Sequence, residues 1–204
     1  MKFVSPFFSI RSGRDYVNTA DIYESVIDGL SDIGQPPVEG PISFIMREKI
    51  TGQADICYGV TGNHEAAFEE APVQFTIHSN EKKISGYLRP TDQAIEWNVQ
   101  YDQQPIYDAI EMRDDKIWVT SECGFTPIEV MTTLALKLHE TLLPSNGKGK
   151  WYVVRIDLRR PFKPTDTENL TVQFQRSLGK LLTRSSVLIS DECIGTICFS
   201  FVAS

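Results

Sequence analysis

The stretch TPIEVMTTLALKLHETLL, beginning at Thr126, narrows more than any other what this chain can fold into. Thr126 stands where an N-cap belongs. Pro127 takes the first helical position, and Glu129, three residues past Thr126, completes a reciprocal capping pair. Ile128, Met131, Ala135, Leu138 and Leu142 recur at steps of three and four. That spacing predicts a helix with one apolar face, which must lie against something broad and apolar. Pro144 and the run SNGKGK close it.

From Trp151 onward the chain alternates with period two. In WYVVRIDLRRPF, Val154, Ile156 and Leu158 point one way and Arg155, Asp157 and Arg159 the other, the pattern of a strand with one dry face. Pro161 and Pro164 cannot donate to a ladder, so the strand ends or bends there. Leu170, Val172 and Phe174 resume the apolar phase. A break near SLGK allows a reversal, LLTRSSVLIS returns, DECIG turns again, and TICFSFVA puts Ile197, Phe199 and Phe201 on one face. The segment from Arg155 to Ser177 thus reads as two antiparallel strands joined by a proline-marked bend.

The first half reads as the same plan. Thr19 precedes ADIYESVIDGL, with Ile22, Val26, Ile27 and Leu30 as a shorter stripe; ISFIMREK and PVQFTIHS read as strands. A reversal at Asn80 to Lys82 leads to KISGYL, and AIEWNVQY alternates again. PVQFTIHSNEKKISGYL and TVQFQRSLGKLLTRSSVLI share VQF, a Ser and a Lys at the turn, which suggests a duplication with its boundary between Arg89 and Gln104.

Composition bounds the partners. With 41% hydrophobic and 23% charged residues the chain is an ordinary globular one. Its net charge of −7, with no basic run, argues against nucleic acid and against an anionic membrane surface. No apolar run is long enough to span a bilayer, and MKFVSPFFSIRSG is too interrupted for a signal peptide and reads as an opening strand. Cys57, Cys123, Cys193 and Cys198 form no CxxC pair and read as reduced thiols, so the expected compartment is the cytoplasm. No Gly-rich phosphate loop or nucleophile elbow is present, and no cofactor is implied. Three scattered histidines without ligand spacing predict no metal site.

A helix laid across a strongly curved antiparallel sheet, followed by IDLRRPFKPTDTENLTVQF and two further strands, resembles the hotdog fold of acyl-thioesterases and dehydratases. In that family a strand ending in an R-P-apolar-x-P-x-D element follows the central helix, and Arg160, Pro161, Phe162, Pro164 and Asp166 match it. The resemblance covers Glu122 to Ser204 directly, and Val17 to Tyr101 through the suspected repeat. It implies an α+β double hotdog, two curved antiparallel sheets each wrapping a central helix, with halves 1–100 and 101–204. It implies in turn that the protein binds an acyl thioester, acyl-CoA or acyl-carrier protein, in a groove between the halves and hydrolyses, dehydrates or transfers the acyl group. The alternative is a non-catalytic acyl-binding or assembly module. A homodimer is compatible with either.

The same resemblance singles out residues. Glu129 and Glu122 are the carboxylates on or near the central helix, where hotdog enzymes place a catalytic acid, although a capping box alone accounts for Glu129. His64, in TGNHEAAFEEAP, is the candidate catalytic histidine; a strand rather than the helix follows its loop. Asn18, Thr19 and Asp21 form a polar cluster at a helix start, suited to capping or to holding a thioester carbonyl or phosphate. His78 falls on the polar phase of its strand. His139 sits at the edge of the helix stripe, where it suits the C-terminal dipole.

Overall fold

The capped segment is a helix, and the alternating segments are strands. The structure, a computed structural model, describes residues 1–59, 65–79, 82–144, 149–179 and 181–203. It divides into two units, Met1–Tyr101 and Asp102–Ser204. Both are α+β, with antiparallel sheets and few helices. No helix among the described residues is long and apolar enough to cross a membrane.

The first unit runs β1 (Lys2–Val4), β2 (Ile10–Arg11), α1 (Thr19–Asp32), β3 (Ile42–Met46), β4 (Gly52–Tyr58), α2 (Glu65–Glu70), β5 (Val73–Ser79), β6 (Lys82–Ala94) and β7 (Asn98–Val99). Its antiparallel order is β1-β4-β6-β5-β3, while β2 and β7 form a short parallel pair. Ile22, Val26 and Leu30 of α1 are buried. The aromatic core links Tyr23 to Phe44, Phe44 to Phe75 and Tyr58 to Phe75, with ring centroids 5.4–5.9 Å apart. The Tyr58 hydroxyl donates to the Val26 carbonyl of α1 at 2.9 Å. That reach requires Gly29: a Cβ there would lie 2.4 Å from the hydroxyl oxygen. A glycine that weakens the helix locally by about 1 kcal/mol thus lets the sheet grip it.

The second unit runs α3 (Gln104–Asp108), β8 (Ile110–Arg113), β9 (Lys116–Val119), α4 (Pro127–Leu142), β10 (Lys150–Leu158), a 3-10 turn (Pro164–Asn169), β11 (Leu170–Leu178), β12 (Leu182–Ile189) and β13 (Glu192–Val202). Its order is β10-β13-β12-β11-β9-β8, antiparallel throughout. Ile128, Met131, Ala135 and Leu138 of α4 are fully or almost fully buried. Leu142, in the last turn, is half-buried. Opposite them the sheet supplies Ile156, Leu158, Leu170, Val172, Val187, Ile197 and Phe199, all buried. The helix laid across an antiparallel sheet, with the proline-marked element after the next strand, is present as expected.

Three expectations change. β10 and β11 run in opposite directions but are not neighbours, because β13 and β12 lie between them. AIEWNVQY, read as a strand, yields only the two-residue β7; Trp97 is 62% and Val99 48% exposed, so its alternation finds no dry face to satisfy. The VQF match is local rather than positional. Both copies open a hairpin, β5–β6 and β11–β12, yet β5 lies beside β3, the strand after its helix, whereas β11 lies beside β9, the strand before its helix. The two units share a helix-on-sheet plan with different strand orders. The turn expected at Asn80 falls partly outside the described residues.

The R-P-x-x-P-x-D element is held by an ion pair whose carboxylate is buried and whose guanidinium is half-buried. Arg160 Nη1 and Nη2 donate to the two Asp166 oxygens at 2.6 and 3.0 Å, and the Lys163 N–H adds a third bond at 2.8 Å. Asp166 is only 4% exposed. Burial pushes its carboxyl up, but the bonds from Arg160 and the Lys163 N–H outweigh it and hold it below the usual carboxylate range. Removing one partner of such a pair strands a charge. Arg160→Ala should therefore lower unfolding stability by about 3–5 kcal/mol, read as a shifted urea midpoint. A change near zero would show that the pair is not confined as described.

Candidate functional site

A cleft of about 440 Å³ opens in the second unit, lined by Gln104 and Tyr107 of α3, Ile110 and Met112 of β8, Ile117 of β9 and Lys137 of α4. The local sequence builds it in steps. Asp102 accepts from the Gln104 N–H at 2.9 Å, Pro105 sits in the first turn of α3, and Ile106, fully buried, anchors it. The tight turn at Asp114, with φ +53°, pairs Met112 with Ile117 across the β8–β9 hairpin, so both side chains share a face. Aspartate tolerates that left-handed conformation better than most residues. Gln103 ties the wall together: its amide donates to Thr133 Oγ1 on α4, and its carbonyl oxygen accepts from the Tyr107 hydroxyl, both at 3.2 Å. The Lys137 ammonium lies 5.7 Å from the centre of the Tyr107 ring.

The cleft therefore has an aliphatic floor, Ile110, Met112 and Ile117, and a polar rim with one exposed cation, Lys137. Its volume lies in the range of small-molecule sites. A ligand with a short apolar portion and an anionic group fits this distribution.

Glu129 stands on the same helix face as Lys137. Residues 129, 133 and 137 are four apart, so Glu129, Thr133 and Lys137 line up along α4, with about 12 Å between the first and last positions. Glu129 Oε2 accepts from both the Thr126 N–H and the Thr126 hydroxyl at 3.0 Å. The half-buried carboxylate is the cap of its helix, as the sequence pattern predicts. Glu122 lies in the loop before α4 and is exposed. Neither Glu129 nor Glu122 lines the cleft. His64 lies outside the described residues.

The first-unit cluster is occupied by its own structure. Asn18 is 5% exposed and its side chain accepts from the Ala20 N–H at 2.9 Å, capping α1. The Thr19 hydroxyl points at Met46 Sδ, 3.6 Å away. Asp21 takes two hydrogen bonds from Arg11, one of them from Nε at 3.0 Å, and the guanidinium lies 4.1 Å over the Tyr101 ring. These three residues share a helix start and perform capping and pairing there.

His78 is exposed, as its strand phase predicts. Its neighbour Gln74 is not: 5% exposed, it donates to carbonyls of Phe68 and Glu69, because α2 covers that part of the strand. All four cysteines are free; Cys57 is buried and the others half-buried. Among the described residues no group of His, Cys, Asp and Glu could hold a metal ion.

His139 is the residue sequence reasoning placed least well. It is fully buried rather than at the edge of the stripe. Its Nε2 lies 3.0 Å from Ser185 Oγ and its Nδ1 3.5 Å from Thr183 Oγ1. Trp151, Phe174 and Phe199 pack around the ring, with centroids 4.8–5.9 Å away. The signal that could have found it lies in LLTRSSVLIS, where Thr183 and Ser185 fall on the apolar phase of their strand and so require a buried polar partner.

No protein-family model matches the sequence, and no curated protein does. Solved structures are similar to it over nearly their whole length. The tesB protein of Mycobacterium avium subs paratuberculosis is 9% identical, with a TM-score of 0.49, over 97% of this chain and 91% of that one. A putative thioesterase II from Thermobifida fusca is 10% identical, with a TM-score of 0.43, over 97% and 95%. The dehydratase domain of PpsC from Mycobacterium tuberculosis, in complex with C12:1-CoA, is 10% identical, with a TM-score of 0.46, over 91% and 85%. At such identities and TM-scores its own geometry has to carry any reading of activity.

The His139 surroundings give a pH dependence with a definite sign. Burial lowers its pKa from 6.5 to about 4. A pKa depressed in the folded state means stability that is present above pH 6.5 and drains away as the pH falls towards 4. Between pH 7 and pH 4.5 the folded protein should lose about 2–3 kcal/mol through this group, read as a falling urea midpoint. In His139→Leu that part of the slope should vanish; an unchanged slope would show that other groups cause it.

Proposed function

We propose that the protein binds an acyl thioester, carried on CoA or on an acyl-carrier protein, and acts on the acyl group by hydrolysis, dehydration or transfer. The double-hotdog reading of its two helix-on-sheet halves belongs to the same proposal. One observation carries it: the cleft of the second unit joins an aliphatic floor to a single rim cation on the helix face that also bears Glu129. An acyl chain suits Ile110, Met112 and Ile117, and Lys137 suits a phosphate or other anion of the carrier arm. In this reading Glu129, on the same helix face though outside the cleft lining, is the group that would take a proton from the attacking water.

A second reading, a non-catalytic acyl-binding module, is favoured by the hydrogen bonds of Glu129. Its Oε2 is committed to the Thr126 N–H and hydroxyl, and a carboxylate held in a cap is a poor general base.

One set of measurements separates these readings. The protein is titrated with acyl-CoA esters of increasing chain length, and released thiol is followed in parallel. Saturable binding that Lys137→Glu weakens by roughly tenfold would support the cleft as the site; binding indifferent to that change would remove it. Thiol release or acyl conversion abolished in Glu129→Gln at an unchanged melting temperature would make Glu129 the catalyst. Binding without turnover, with Glu129→Gln costing about 1 kcal/mol or less in stability, would establish the module.

A further inference from the structure

Among the described residues, the β11–β12 hairpin ends in exposed aliphatic side chains. Leu178 is 74%, Leu181 62% and Leu182 38% exposed, and Val202, at the end of neighbouring β13, is 52% exposed. Leu178 and Leu182 are direct cross-strand partners, the last pair before the turn, where Gly179 adopts φ +60°. Leu181 is tied to the neighbouring strand, its carbonyl accepting from the Phe201 N–H of β13 at 2.7 Å.

One step behind them the chemistry changes sign. Arg176 and Arg184 are also direct cross-strand partners, two residues from Leu178 and Leu182 on their strands, and so share their face. Like charges set directly opposite each other oppose pairing. Both arginines are exposed, and among the described residues neither side chain has a hydrogen bond or an ion pair. A chain with 27 acidic residues places none from Arg176 to Ser190.

The order along the strand axis is thus polar sheet, arginine pair, aliphatic tip, with about 7 Å between the last two layers. That is the layering of a bilayer interface, where phosphates lie above the first methylenes and an inserted segment buries about 5–10 Å deep. The geometry points to this hairpin as a docking element for an anionic lipid surface: Leu178, Leu181, Leu182 and Val202 enter the headgroup boundary, and Arg176 and Arg184 meet the lipid phosphates. An acidic protein surface would match the arginines as well, but it gives no reason for aliphatic side chains to project beyond them. The element docks and does not span. The overall charge of −7 restricts binding to membranes approached by this end, and makes it sensitive to salt.

The test uses the full chain and co-sedimentation with vesicles, of phosphatidylcholine alone or mixed with phosphatidylglycerol. The protein should sediment with the mixed vesicles and be released by salt. Arg176→Gln with Arg184→Gln should weaken partition about 30-fold, since each cation near an anionic surface is worth about fivefold. Leu178→Ser with Leu181→Ser should weaken it at least about tenfold. Melting temperatures should be unchanged, because all four positions are exposed. Three results would overturn the proposal. Wild-type protein could fail to sediment with anionic vesicles. The leucine variant could bind as well as wild type while the arginine variant does not, which would mark a face for acidic proteins or other polyanions. The leucine variant could instead convert a dimer to a monomer in light scattering without vesicle binding by either form, which would mark the tip as covered by a second copy.

Discussion

Period-two alternation across β10 to β13, interrupted only where the register shifts, is the constraint on which the second unit depends. A strand in an antiparallel sheet has no choice about where its neighbours point: each residue sends its side chain to the opposite face from the last. Once α4 buries Ile128, Met131, Ala135 and Leu138 against one face, every second residue of four strands is committed to a dry environment. Slipping β12 by a single residue would carry Val187 into water and bring Arg184 beneath the helix. The two register shifts in β10 and β11, at Val153/Arg155 and Phe174/Arg176, adjust the phase where the sheet needs to bend while keeping the helix-facing set apolar.

The same rule explains why polar residues in this unit have such different fates. Thr183 and Arg184 are adjacent in sequence, yet Thr183 is 1% exposed and lies beside His139 while Arg184 faces solvent. A helix that brings a histidine to a dry sheet face needs hydrogen-bonding partners there, and Thr183 and Ser185 supply them from alternate positions of one strand. The burial that lowers the imidazole pKa is therefore a consequence of register rather than a local accident. The position of His139 by itself implies no catalysis, since a fully buried ring cannot reach a ligand in solvent.

How much of this was legible in the sequence depends on which interactions are local. The start of α4 was, because a cap is written within four residues: Thr126, Pro127 and Glu129 behave as read. The strands from Trp151 onward were, because their apolar phase is unbroken over several residues. The cleft was passed over because α3 spans five residues and β8 and β9 four each, too short for periodicity to show, although the aspartates at 114 and 115 between apolar positions were a usable turn signal. Gln74 defied its strand phase because α2, the segment just before β5, folds back over it, and six residues are too few for helical periodicity to show. AIEWNVQY erred in the other direction. Alternation states what a segment could bury, and whether a dry face exists for it is decided elsewhere in the chain.

Charge shows the same divide between local and global information. The sum of −7 is a property of the whole chain, and as such it argues against anionic partners. Binding, however, is decided within about 10 Å, the distance over which salt screens charge at ordinary ionic strength. At the β11–β12 tip the strand pattern sets two arginines side by side, in a stretch from Arg176 to Ser190 that carries no acidic residue. Cross-strand pairing makes this segregation efficient: two arginines eight residues apart in sequence become neighbours because the turn between them is short. A composition count averages over that geometry. The useful question for an acidic chain with an antiparallel sheet is therefore which same-sign residues its register places opposite each other, and what stands next to them on that face.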